Sequence, residues 1–184
     1  MSQVLVVAAT AKELATGDWA RLLCGVGPVE AAAATAAAIA RHAPALILHV
    51  GIAGARRGAG LLPPTLVVGI ESRYCDLAVP PEWAPRAVTA PMHLVEAAAR
   101  ALPHAVRCAI GTSARVGGTT GCDVEAMEGF GVLRAAQLAG IPALEVRAIA
   151  NEIEEEDRSR WRFDDAFAAV LEATPRLVRE LAGA

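Results

Sequence analysis

The sequence predicts an α/β protein of three layers, with helices on both faces of a largely parallel central sheet. Three observations carry that prediction. Apolar runs of strand length alternate with segments of helix length along the chain, the order that a parallel sheet with crossover helices produces. The leading strand-like runs are continuous and rich in branched residues, as expected of strands covered on both faces. Glycine or proline stands at many of the junctions, where each ends or opens an element.

Taken in order, QVLVVAA (residues 3–9) is the first strand and RLLCGV (21–26) a weaker second. GPVEAAAATAAAIARH (27–42) is a helix, with Pro28 suited to its first turn and Glu30 to the positive end of its dipole. PALILHVGIAGA (44–55) reads as a strand running into a glycine turn, GIAG, and TLVVGIES (65–72) as the next strand. PMHLVEAAARAL (91–102) is a helix, and AVRCAIGTS (105–113) a strand entering the loop ARVGGTTGC. VLRAAQLAG (132–140) is a helix stopped by Gly140 and the Ile141–Pro142 pair. PALEVRAIAN (142–151) is the last strand. The final helix starts near Asp164, with an apolar stripe through Phe167, Val170, Leu171, Leu177, Val178 and Leu181, and with Pro175 expected to bend it. With no repeat, low-complexity tail or inner linker, residues 1–184 read as one domain, large enough to bury roughly 70% of its unfolded surface.

Bulk properties exclude several classes. A net charge of −3 and a pI near 5.8 give no electrostatic case for nucleic acid or an anionic membrane. Mean hydropathy is high at +0.40, but the longest charge-free apolar stretch, near residues 44–55, is far short of the about 20 residues that a bilayer requires. No positive residue precedes the first apolar run, which therefore reads as a strand and not a signal peptide. Cys24, Cys75, Cys108 and Cys122 show no CxxC spacing and read as reduced thiols of a cytoplasmic protein. The four histidines are scattered, so neither a metal site nor a cofactor is expected. The glycines of GIAGARRGAG do not fit the G-x-G-x-x-G spacing of a dinucleotide loop.

Chemistry is expected where strands end, because α/β sheets bind ligands beyond their carboxyl edges. Glu13 follows the first strand in TAKEL, Gly51–Gly54 follows LILHV, and Asn151 ends EVRAIA before the acidic run EIEEEDR. Taken singly, Glu13 also fits a surface residue opening a helix, GIAG a plain tight turn, Asn151 a cap, and residues 154–157 a solvated loop. Glu128 is different. If the helix extends back through VEAMEGFG, Glu128 shares its apolar stripe with Val124, Gly131, Val132, Ala135 and Ala139, while Arg134 and Gln137 point away. A buried lone carboxylate costs several kcal/mol unless it is partnered or faces a cavity, which points to function.

VEAMEGFGVLRAAQLAGIPALEVRAIAN resembles the carboxyl-terminal motif of the nucleoside phosphorylase and nucleosidase superfamily, a Met–Glu pair on a helix before a strand ending in RAIS-Asp/Asn. GVGPVEAAAATA, HVGIAGA and AATAKEL match further motifs of that superfamily, so the resemblance covers most of the chain. Within it, V-E-x-M-E-G, RAIAN and EDRSRW look most like the futalosine hydrolases of the alternative menaquinone pathway, which release hypoxanthine from futalosine and leave dehypoxanthine futalosine.

The resemblance implies a nucleoside phosphorylase-like fold and a small-molecule nucleoside substrate. It gives Glu128 the ribose 2′- and 3′-hydroxyls, Met127 the face of the sugar, Glu13 the activation of water, and Asn151 the purine N7 and O6. Ile52, Ala53 and Gly54 would form the close-approach wall. Relatives bring a base-stacking aromatic from the loop after the residue 105–113 strand. GTSARVGGTTGC has none, so Arg115 and Val116, or a partner subunit, are expected to supply that packing. A homo-oligomer, dimer or tetramer, is implied as well. Three alternatives stay open: a methylthioadenosine/S-adenosylhomocysteine-type nucleosidase, a phosphate-dependent purine nucleoside phosphorylase, and a non-catalytic nucleoside-binding protein. Asn151 counts against the first, and the acidic TAKEL loop, without a glycine–arginine phosphate site, against the second.

Overall fold

The computed structural model describes residues 4–117 and 121–184. Gln3 of the predicted first strand and residues 118–120 of the glycine-rich loop lie outside them. The strands are β1 (Val4–Ala8), β2 (Ala20–Leu23), β3 (Leu46–Ala55), β4 (Leu66–Tyr74), β5 (Ala87–Thr89), β6 (Val106–Thr112), β7 (Val124–Ala126) and β8 (Ala143–Glu152). The longer helices are α1 (Pro28–His42), α2 (Met92–Ala101), α3 (Gly129–Leu138) and α4 (Phe163–Leu181).

The architecture is α/β, and the sheet is mixed. β1 pairs β2 and β3 in parallel, as do β3 with β8, β4 with β6, and β6 with β7. The β3–β7, β4–β5 and β4–β8 pairs are antiparallel. Because β8 bridges β3 and β4, while β6 and β7 link them on the other side, these five strands close into a small ring. Its interior is filled by short or branched side chains from all five strands: Ala53, Ala55, Val67, Ile110, Val124 and Ile149. Small residues are what so narrow a ring admits.

Two helix layers cover the sheet. α2 and α4 pack on one side against Leu48, Val50, Leu144 and Val146. α1 and α3 pack on the other against Leu5, Val7 and Ile47. α1 and α3 approach closely because residue 131 is glycine: a Cβ there would lie 2.4 Å from the Pro28 carbonyl oxygen. α4 continues past Pro175 to Leu181.

Three local readings change. GIAG is not a turn; Gly51–Gly54 lies within β3, and a register shift at Ala53/Gly54 supplies the irregularity. Residues 124–126 are a strand and not the start of a helix, because they complete the ring between β3 and β6. Glu128 therefore sits at the N-cap of α3, not on its apolar stripe. Short β5, pairing only three residues of β4, carried too little pattern to be read.

Candidate active site

The carboxyl ends of β1, β3 and β8 meet β7 and the start of α3 around a cavity of about 280 Å³. Glu13, Glu128, Met127 and Asn151 line it together with Ile52, Ala53 and Gly54. Val116 also lines it, whereas Arg115 is exposed, outside the lining, with its backbone N–H bonded to Ser113 Oγ (3.1 Å).

Glu13 is buried although it stands in a turn. The turn folds back so that Thr10 donates to Oε2 from both its backbone N–H and its hydroxyl (2.9 Å each). Ile52 N–H donates to Oε1 across from β3 (3.2 Å). These donors fix the carboxylate at the cavity wall.

Glu128 is 5% exposed. Its Oε1 accepts from Gly27 N–H (3.1 Å) at the start of α1, and its Oε2 lies 3.5 Å from Arg147 Nη1. Burial raises the Glu128 pKa above the ordinary carboxylate range, and Arg147 only partly offsets this. The same burial pushes the neighbouring Cys24 thiol up to about 12, and the Glu128 charge adds to the effect.

The arginine was not singled out from sequence. Arg147 is fully buried on β8, and its guanidinium is held at two nitrogens. Nε donates to Glu145 Oε1 (2.8 Å), and Nη2 donates to His49 Nε2. Arginine has no acceptor, so the His49 proton is on Nδ1, which donates to Val7 O (3.0 Å). Burial, reinforced by repulsion from Arg147, keeps His49 neutral, with its pKa well below the usual value.

Nη1 makes no hydrogen bond among the described residues and faces the two site carboxylates. Glycine at 51 makes room for this. A Cβ there would lie 2.3 Å from Arg147 Nη1 and 3.0 Å from Glu13 Oε1. The signal was present in the sequence. Two charges two residues apart in an apolar strand, Glu145 and Arg147, share one face, and they pair in register with His49 and Gly51 of β3.

Asn151 continues that face of β8 to the cavity. Its Nδ2 donates to the Glu152 carbonyl (2.9 Å), and the absence of a side chain at Gly54 leaves it room. The aromatic lining comes from an unexpected place. Trp161, Phe163 and Phe167, at the entry to α4, line the cavity and pack in sequence with centroid separations of 5.4 and 6.2 Å. Arg158 lies 5.5 Å over Trp161 and Lys12 5.8 Å over Phe167, within cation–π range. The expectation that Arg115 and Val116, or a partner subunit, supply the packing leaves this segment out, because Phe167 reads as part of the apolar stripe of the final helix.

Among the described residues no group of His, Cys, Asp or Glu is arranged to hold a metal ion, and no helix is long and apolar enough to cross a membrane. The arrangement suits acid–base chemistry: two buried carboxylates at one part of a cavity, an arginine nitrogen buried behind them, and an amide and an aromatic wall also lining the cavity.

No protein-family model matches the chain. It is similar to a futalosine hydrolase of Streptomyces coelicolor, 36% identical over an alignment 188 positions long that covers 86% of this chain and 78% of the relative. It is also similar to a futalosine hydrolase of Thermus thermophilus, at 30% identity over 87% of this chain and 81% of the relative. Among solved structures, a Streptococcus pneumoniae MTA/SAH nucleosidase in complex with 8-aminoadenine superposes with a TM-score of 0.83 at 15% identity, covering 97% of this chain and all of the other. A futalosine hydrolase mutant of Helicobacter pylori does so with the same score at 16% identity, covering 98% and 100%. The structural matches establish the nucleosidase fold. The sequence matches, extending over most of both partners, go further: the chain belongs to the futalosine hydrolase family.

Proposed function

We propose that the chain hydrolyses the N-glycosidic bond of futalosine, releasing hypoxanthine and dehypoxanthine futalosine. The observation that carries this reading is the convergence of Glu13 and Glu128, backed by the buried Arg147 Nη1, at the cavity that Asn151 also lines, in a chain of this family.

In the mechanism, Glu128 accepts from the ribose 2′- and 3′-hydroxyls and faces the positive charge that grows on the sugar as the C1′–N9 bond breaks, where a nearby carboxylate is stabilising. Met127 packs on the sugar. Glu13, its Oε2 oriented by Thr10 and its Oε1 by Ile52, takes a proton from the attacking water, whose oxygen bonds C1′. A positioned base of this kind contributes about 10²–10⁴-fold.

Arg147 Nη1, which has no hydrogen-bond partner among the described residues, lies behind both carboxylates and balances their charge. The C1′–N9 electron pair leaves with the purine, whose developing negative charge Asn151 stabilises by donating to N7 and O6 until the base takes up a proton on release; an amide there suits a 6-oxopurine. Ile52, Ala53 and Gly54 form the close wall. Val116 and the aromatic set Trp161, Phe163 and Phe167 provide the apolar packing, with Arg115 at the outer edge.

The reading includes a single catalytic domain over residues 1–184, working in the cytoplasm as a homo-oligomer. The four cysteines, none of them in a disulfide among the described residues, suit a reducing compartment. Val26, apolar and 56% exposed although it lines the cavity, suits coverage by a second copy.

A chromatographic assay without phosphate, against futalosine, methylthioadenosine and inosine, tests the proposal. Hypoxanthine from futalosine is expected. Adenine from methylthioadenosine, or release from inosine only on adding phosphate, would replace it with a different reaction.

A further inference from the structure

The mechanism above uses one nitrogen of Arg147 and leaves unexplained why a second buried carboxylate, Glu145, stands behind it. Glu145 is fully buried, and its Oε2 has no hydrogen-bond partner among the described residues. Two backbone positions are cleared for the pair. A Cβ at Gly129, the first residue of α3, would lie 2.1 Å from Glu145 Oε2, and one at Gly51 would lie 2.3 Å from Arg147 Nη1. The in-register pairing of His49 with Glu145 and of Gly51 with Arg147 sets all four on one face of two parallel strands. A carboxylate that core packing alone would disfavour is thus accommodated by glycine and by the positive end of a helix.

We propose that Glu145 is a positioning residue for the reaction: it clamps Arg147 at Nε so that Nη1 is presented to Glu13 and Glu128, and it draws on the arginine charge that those two carboxylates would otherwise share.

The guanidinium is planar, so anchoring Nε on Glu145 and Nη2 on His49 fixes the direction of the third nitrogen. The same contact divides the charge. Nε is 2.8 Å from Glu145 Oε1, whereas the Arg147–Glu128 pair is longer at 3.5 Å. Glu128 is faced by Arg147 and Glu145 from β8, by Glu13 from the turn after β1, and by the protonated Cys24 thiol that follows β2. His49 reaches it only through Arg147. Of these, Arg147 alone opposes burial in favour of the charged form, and Glu145 and Glu13 oppose Arg147. Removing the Glu145 charge therefore strengthens the hold of Arg147 on Glu128.

The test uses the intact chain and two variants that separate charge from reach. Glutamate side-chain carboxyls are labelled with 13C, the Glu128 signal is assigned from its loss in Glu128→Gln, and each protein is titrated. In Glu145→Gln the Glu128 titration is expected to move to lower pH. Turnover of futalosine is expected to fall, up to about 10²-fold for a displacement near 1 Å, with the loss in kcat and not in KM. Glu145→Asp keeps the charge and withdraws it, so kcat is expected to fall with the Glu128 titration nearly unmoved.

An unshifted Glu128 titration together with undiminished kcat in Glu145→Gln overturns the proposal. If Glu145→Gln does not fold, Glu145→Asp decides: undiminished turnover there overturns it equally. The choice of substrate rests on the futalosine reading, and the two failures are distinct. Wild-type protein silent toward futalosine defeats that reading, while the carboxyl titration still decides the role of Glu145.

Discussion

Gly51→Ala is the smallest change that tests the geometry of this site. The added methyl carbon would stand 2.3 Å from Arg147 Nη1, against about 3.4 Å for ordinary contact, so one partner must move by about 1 Å. Nη1 cannot retreat freely, because the other two guanidinium nitrogens are held by Glu145 and His49. On the other side the methyl meets Glu13 Oε1 at 3.0 Å.

Overpacking of this kind costs about 1–3 kcal/mol, and at this chain length that lowers Tm by roughly 2–12 °C. Because the displaced atoms include the Glu13 carboxylate, which the proposed mechanism sets against the attacking water, kcat should fall about 10²-fold with a smaller change in KM. Gly58→Ala is the control. Nothing lies within 4 Å of a Cβ there and its φ is not left-handed, so unchanged activity and a gain of about 0.4–1 kcal/mol are expected. Differential scanning fluorimetry and steady-state release of hypoxanthine read both variants. Gly51→Ala with wild-type Tm and wild-type kcat would refute the placement of Arg147 against Glu13.

Glu128→Gln should abolish most turnover while preserving the fold. Burial raises the pKa of Glu128 in the folded state, so its contribution to stability is fully present below its ordinary value of 4.5 and is lost as pH rises through the raised value. The variant should therefore melt no lower than wild type at pH 7 and lose that relative advantage on acidification, as thermal melts across pH would show. Glu13→Gln should keep substrate binding, measured by calorimetry, and lose hydrolysis; loss of both would make Glu13 structural. Asn151→Asp should shift release from 6-oxo toward 6-aminopurine nucleosides, and an unchanged preference in the three-nucleoside assay would remove Asn151 from base recognition.

Most of the fold was legible because its strands are long and continuously apolar and its helices are capped. β1, β3, β4, β6, β8 and all four helices lie within a few residues of the positions expected from periodicity. β5 and β7 were not legible, since three residues carry no period, and their existence depends on partners distant in sequence.

The ring closed by β8 was hidden for the same reason: pairing one strand in parallel with β3 and antiparallel with β4 is a tertiary choice that local pattern does not encode. At the site, Glu128 could be recognised as a carboxylate in apolar company, and Glu13 and Asn151 as polar groups at strand ends. Arg147, Glu145 and His49 could have been found by the same test applied with a period of two to ALEVRAIAN and LILHV. The aromatic wall could not, because Phe163 serves the α4 core and the cavity at once and Phe167 stands in the apolar stripe of α4 while lining the cavity.

The bridging position of β8 has a consequence for how the protein is made. Until residues near 143–152 have left the ribosome, β3 and β4 each expose an unpaired edge along much of their length, and such edges invite pairing with other chains. The same ten residues carry Glu145, Arg147 and Asn151. A nascent chain therefore passes from a sticky open sheet to a closed ring at the moment it acquires the arginine and amide of its site. Truncations ending before Ala143 should aggregate and show no activity, whereas shortening α4 from its carboxyl end should first cost stability.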